Sequence, residues 1–275
     1  MAATPYPALV ELPGASFPVY VSHGTEQRAG QIAERCRSAR HFLGVTFDFE
    51  PQLRVLVLNP EDWREYATFP VYGMPHYTDA QTLAVAGEDN DFWQSMAPPV
   101  DALPPQAAEV MRAAYGQSDG SVDLSLFFDL LAVHEMGHLC HLQASLQFPR
   151  RWLMELFCNI CLHAYVVARE PEKVLALEAF PSVIAGGDVS QLRYRSLADF
   201  ERLYTDVGPQ NYGWYQCRFH VAAKDIYSAG GVEALERLWR VFLQSSATGS
   251  DEELAVQLRD DVHPAVARVL TEWAR

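Results

Sequence analysis

The chain has 275 residues, a formal charge of −14 at pH 7 and 49% hydrophobic residues, enough apolar content for one large domain or two closely packed lobes. That charge opposes nucleic-acid phosphates and anionic lipid surfaces, and nothing beyond the Arg150–Arg151 pair compensates it, so neither partner is expected. The opening "MAATPYPALVELPG" lacks the basic and apolar regions of a signal peptide, and no stretch is long enough to span a bilayer, so a cytoplasmic protein is expected. The cysteines Cys36, Cys140, Cys158, Cys161 and Cys217 mostly fall in apolar helical patterns and are read as reduced thiols.

In chain order, "SFPVYVSH" (16–23) is β-branched and aromatic enough to predict a strand. Ala29, Ile32, Ala33, Cys36, Ala39 and Leu43 then recur at helical spacing over 26–43, with Gly44 as the expected C-terminal cap. A buried strand over 53–60 stops at Pro60, and a short strand follows over 82–86. Prolines 98, 99, 104 and 105 mark a loop, after which a helix is predicted over about 105–115.

From residue 123 onward the pattern is helical: 123–143, 151–168, a shorter piece after Pro171, 196–204, 211–229, 232–244 and two at the C-terminus. Ser196 with Asp199, and Ser250 with Glu253, are spaced as capping boxes. The expected organisation is an α/β lobe over 1–145 and a helical lobe over 146–275 forming one unit, with the histidine-rich stretch "LLAVHEMGHLCHLQ" at their junction.

On a helix, Phe127, Leu130, Leu131, His134, His138 and His141 share one stripe, which puts the histidines on the inward face. A lone histidine there would usually be an ordinary core residue. His134-Glu135-x-x-His138, however, sets two imidazoles one turn apart, able to converge on a Zn²⁺ ion, with the glutamate to one side as a general base. His141 lies about 10.5 Å from His134 along a straight helix, too far to share the ion easily, and is expected to line the site. Glu155, a carboxylate among Trp152, Leu153, Leu156, Phe157 and Ile160, is costly to bury unless paired or bound to metal, and is the preferred third ligand. Asn159, one turn on, suits a hydrogen bond to a ligand histidine. Cys158 and Cys161 form a single CxxC mid-helix and, like His163, are read as structural.

With those residues the chain resembles the gluzincins, the thermolysin-like and aminopeptidase-like zinc metallopeptidases in which HExxH is followed on a second helix by a glutamate ligand. The resemblance spans about residues 16–240 and implies an α+β, zincin-like fold, with a small mixed sheet and helices followed by a mainly helical lobe. It implies that 82–86 is the substrate-binding edge strand and that Glu155 and Asn159 lie on the ligand helix. It also implies a transition-state tyrosine at the start of "NYGWYQCRFHVAAKDIYSAGG", best matched by Tyr215 and next by Tyr212. "YGMPHY" lacks the acid that would anchor a substrate amine, so no aminopeptidase activity is inferred. The implied activity is zinc-dependent hydrolysis of a peptide or protein substrate, with His134, His138 and Glu155 as ligands, Glu135 as base and Tyr215 as oxyanion donor. The alternatives are a zinc-binding module without turnover, a hydrolase acting on a non-peptide carbonyl, and a structural zinc site built from the CxxC and nearby histidines.

Overall fold

The computed structural model describes residues 5–244 and 249–273 and is α+β, with a small sheet followed by helices. Its chain divides into two compact units, 1–143 and 144–275. Among the described residues no helix is long and apolar enough to cross a membrane, and all five cysteines are buried and unbridged.

The first unit is built on a five-stranded mixed sheet. Its strands are β1 (Val10–Glu11), β2 (Val19–Val21), β3 (Arg54–Leu58), β4 (His76–Asp79) and β5 (Thr82–Ala86), in the order β1-β2-β3-β5-β4. β2, β3 and β5 are parallel, while β1 and β4 run antiparallel to their neighbours at the two edges. All five residues of β5 are buried, as suits a strand covered on both faces, whereas β4 alternates half-buried and exposed positions. The 82–86 strand is therefore where the sequence places it but is interior: the edge is β4. A continuous apolar run marks an inner strand, and the alternation of His76, Tyr77, Thr78 and Asp79 marks the rim.

α1 (Glu26–Phe47) buries Ala29, Ile32, Ala33, Cys36, Ala39 and Leu43 as predicted, but it does not stop at Gly44. The apolar stripe continues to Phe47, and the helix ends at Asp48, which takes the left-handed conformation (φ 50°, ψ 37°) and returns its N–H to the Gly44 carbonyl. Pro60 ends β3 and also opens α2 (Pro60–Tyr66), with the Asn59 side chain capping the Asp62 N–H at 2.9 Å. α3 (Asp91–Met96), α4 (Pro105–Tyr115) and α5 (Ser125–Gln143) complete the unit.

The second unit is helical: α6 (Arg151–Arg169), α7 (Val174–Ala185), α8 (Leu197–Leu203), α9 (Pro209–Gln244), α10 (Asp251–Gln257) and α11 (Pro264–Glu272). α9 fuses the two predicted helices across Gly231, whose φ of 57° and ψ of −157° suit glycine alone. Ser250 and Glu253 form a full capping box. At α8, Ser196 accepts from the Asp199 N–H at 3.0 Å, while the Asp199 carboxylate takes the Ser196 hydroxyl at 2.7 Å.

Candidate metal centre

α5 is buried on most of its surface, so its histidines reach the interior without an amphipathic pattern. Phe127, Leu130, His134, His138 and His141 are buried, Leu131 and Glu135 half-buried. Its N-terminal half is anchored by Asp129, which pairs with Arg28 at 2.7 Å, and Arg28 lies over the Trp93 ring. Burial pushes the Asp129 carboxyl up despite the pull of Arg28 and Arg35.

The His134 and His138 Nε2 atoms face each other 3.2 Å apart. Two imidazoles at zinc–nitrogen distances of about 2.0–2.1 Å and a tetrahedral angle would hold their nitrogens about 3.3 Å apart, so this pair has the bite the ion requires. His138 Nδ1 lies 3.1 Å from His141 Nε2. With the proton on Nδ1, His138 donates to His141 and keeps the lone pair of Nε2 for a metal, the role expected of an outer partner to a ligand histidine. His141 thus lies beside His138 on the face that the helical geometry predicts. The Tyr77 ring of edge strand β4 stands 5.3 Å from the His138 ring.

In the second unit, Glu155 is 1% exposed and hydrogen-bonded on both oxygens. Oε1 accepts from the Tyr204 hydroxyl and Oε2 from Gln216 Nε2 at 2.8 Å. Gln216 Nε2 also reaches the Tyr212 hydroxyl at 3.0 Å, and its Oε1 accepts from Asn159 Nδ2 at 3.2 Å. Asn159 further donates to the Glu155 backbone carbonyl at 3.0 Å. Both oxygens of the buried carboxylate thus have hydrogen-bond donors.

No protein-family model matches this chain, and no curated protein or solved structure matches it either.

The Tyr215 hydroxyl is taken up elsewhere. It donates to the Ser196 carbonyl at 2.7 Å, and the ring is fully buried, stacked on Trp273 with centroids 6.0 Å apart. Burial, with the nearby Asp199 charge, raises its pKa well above the ordinary range. The hydroxyls beside Glu155 are those of Tyr204, directly, and Tyr212, through Gln216. Sequence reasoning missed Tyr204 and Gln216. Tyr204 follows the last turn of a short helix and carries no local signal, whereas Gln216 was visible as part of a four-residue polar repeat. His134 and His138 of the first unit and Cys158 of the second are all buried and of residue types that can hold a metal ion. His163 sits 3.9 Å from Glu178, with its pKa lowered by burial.

Proposed function

We propose that the chain is a zinc-dependent peptidase of the gluzincin type, in which His134 and His138 hold the ion with a third donor from α6. The observation that carries this reading is the 3.2 Å separation of the two Nε2 atoms on buried HExxH imidazoles, with His141 on the far nitrogen of His138. The donor chemistry fits a borderline-soft divalent ion, which favours imidazole, carboxylate and thiolate. When bound, zinc supplies Lewis acidity, polarising a carbonyl and lowering the pKa of water towards about 7.

The chain's own residues supply the rest. Glu135, half-buried and one position from a ligand histidine, accepts the proton of the attacking water and returns it to the leaving amine. His141 keeps the His138 ring oriented. Edge strand β4, with Tyr77 beside His138, is the sheet edge along which an extended substrate can align. Tyr215, bonded to a backbone carbonyl, takes no part. The third donor is Glu155, a buried carboxylate with an ordered hydrogen-bond shell. Cys158, three residues on, is the second reading, because a buried thiolate is a donor that zinc favours.

Metal analysis of the purified chain, with Glu135→Gln assayed against unstructured protein and blocked peptides, tests the proposal. Stoichiometric zinc in both proteins and a loss of hydrolysis of about 10²–10⁴-fold in the variant are expected. Activity that survives E135Q rejects Glu135 as base, and zinc without cleavage by the native chain favours a non-catalytic module. Glu155→Gln and Cys158→Ser separate the two third-ligand readings by which one releases the metal.

A further inference from the structure

The second unit carries a groove of about 550 Å³ between α9 and α11, within the size range of sites for small organic ligands. The two helices run in opposite directions along it. The Arg218 guanidinium lies over the ring of Trp273, just past the end of α11, while a Cβ at Gly230 would stand 3.1 Å from the ring of His263, just before its start. Val221 and Ala222 of α9, with Ala265 and Val269 of α11, give the groove an apolar lining.

Arg218 is the unusual member of that lining. Its guanidinium stands 4.1 Å from the centroid of the Trp273 ring and 5.3 Å from that of Trp214, and the side chain is half-buried. Trp273 is itself fixed, because its Nε1 donates to the Arg195 carbonyl at 2.8 Å and its ring stacks on Tyr215. Burial holds the pKa of Arg218 below the ordinary arginine value, so its charge is partly stripped of water. Among the described residues this guanidinium has neither a hydrogen bond nor an ion pair, whereas Arg28, Arg40, Arg112 and Arg150 all meet carboxylates. Asp225, an acid of the groove, lies seven residues on, about 10.5 Å along the helix axis. Glu272, the other acid of the lining, forms no ion pair with Arg218 either. Stacking on an indole occupies the face of a guanidinium and leaves its in-plane N–H groups to a planar acceptor.

We propose that this groove binds a small organic carboxylate with an apolar body. The carboxylate takes two in-plane N–H groups of Arg218 in parallel, and the apolar body lies along Val221, Ala222, Ala265 and Val269. Arg268 of α11, exposed and without an ion pair among the described residues, adds positive charge to the same groove. Asp225 and Glu272 disfavour a doubly charged phosphate there, while a single negative charge matches the one stacked guanidinium. The site lies wholly within the second unit and does not depend on a bound metal.

Octanoate, titrated calorimetrically into the full chain below its micelle concentration, tests this. Saturable binding is expected, with acetate, which lacks the apolar chain, and n-octylamine, which reverses the charge, each held about tenfold or more weakly. Arg218→Gln should weaken octanoate binding about 10–100-fold. Ala222→Phe keeps the arginine, fills the groove and should weaken binding to a similar extent; circular dichroism and the unfolding temperature establish that the variants are folded. The native affinity should be the same with and without a chelator. Absence of saturable binding, n-octylamine held as tightly as octanoate, inorganic phosphate held more tightly, or unchanged affinity in either folded variant overturns the proposal. Binding abolished by the chelator also overturns it, by assigning the carboxylate to a metal ion. So does a native chain that sediments as a dimer and an A222F chain that sediments as a monomer, which would give the groove to a second copy.

Discussion

His76 shows how neighbours can settle the state of a single imidazole. Its Nε2 faces the Thr68 and Phe69 N–H groups, both at 3.2 Å, and Nδ1 faces the Met74 carbonyl at 3.0 Å, so the proton belongs on Nδ1 and the ring is neutral. It packs edge-on to Trp63 with centroids 5.2 Å apart, and burial holds its pKa below the ordinary 6.5. His163, lowered by the same cause, behaves alike although Glu178 pulls the other way. For both, the unfolded chain takes up a proton before the folded one does. Their contribution to stability is therefore complete above the unfolded pKa and is lost as pH falls from about 6.5 through the lower folded values. The unfolding temperature should decline over that interval, and His76→Gln should flatten part of the decline; an unchanged acid limb would show that His76 is not among the groups responsible.

At the scale of elements, the difference between β5 and β4 is testable. Val85 is 3% exposed on a strand hydrogen-bonded on both sides, whereas Tyr77 is 37% exposed on the edge. Val85→Asp buries an unpaired charge and should cost several kcal/mol, enough to unfold the first unit, while Tyr77→Asp should fold with near-native stability. Urea unfolding of the two variants compares them directly. Polar stripes organise the helices of the second unit in a similar way. Glu155, Asn159 and His163 recur every four residues on α6, and Tyr212, Gln216, His220 and Lys224 do so on α9. Glu155 and Asn159 both bond to Gln216, and Glu178 of α7 bridges His163 at 3.9 Å and Lys224 at 2.5 Å. Glu155, Asn159 and His163 thus meet polar partners on neighbouring helices.

For the whole molecule, any ion bound only by the folded chain adds to its stability. At a free zinc concentration a thousandfold above Kd the gain is about 4 kcal/mol, so chelation should lower the unfolding temperature by several degrees and added zinc should restore it. Magnesium should not replace zinc, because it prefers an octahedron of oxygens to imidazoles. An unfolding temperature indifferent to chelator and zinc would remove the ion from the description.

Periodicity along the chain determined most of the elements, including β5, α4, α5, α6 and the break near Gly231, because helical and extended segments bury apolar side chains at fixed intervals. It also determined that His134, His138 and His141 share one face of α5, which follows from 3.6 residues per turn. What lies across a gap in sequence was decided only by tertiary structure. Strand order made β5 interior and β4 the edge, since pairing partners are chosen by the fold and not by the strand. The continuation of α1 past Gly44 depended on a place for Phe47 in the core. The destination of each hydroxyl was equally non-local: Tyr215 bonds a backbone carbonyl 19 residues away, while Tyr204 reaches a carboxylate 49 residues away through a turn its own residue type disfavours. Local spacing specifies which side chains travel together on one element, and only packing brings donors and acceptors from different elements within hydrogen-bonding distance.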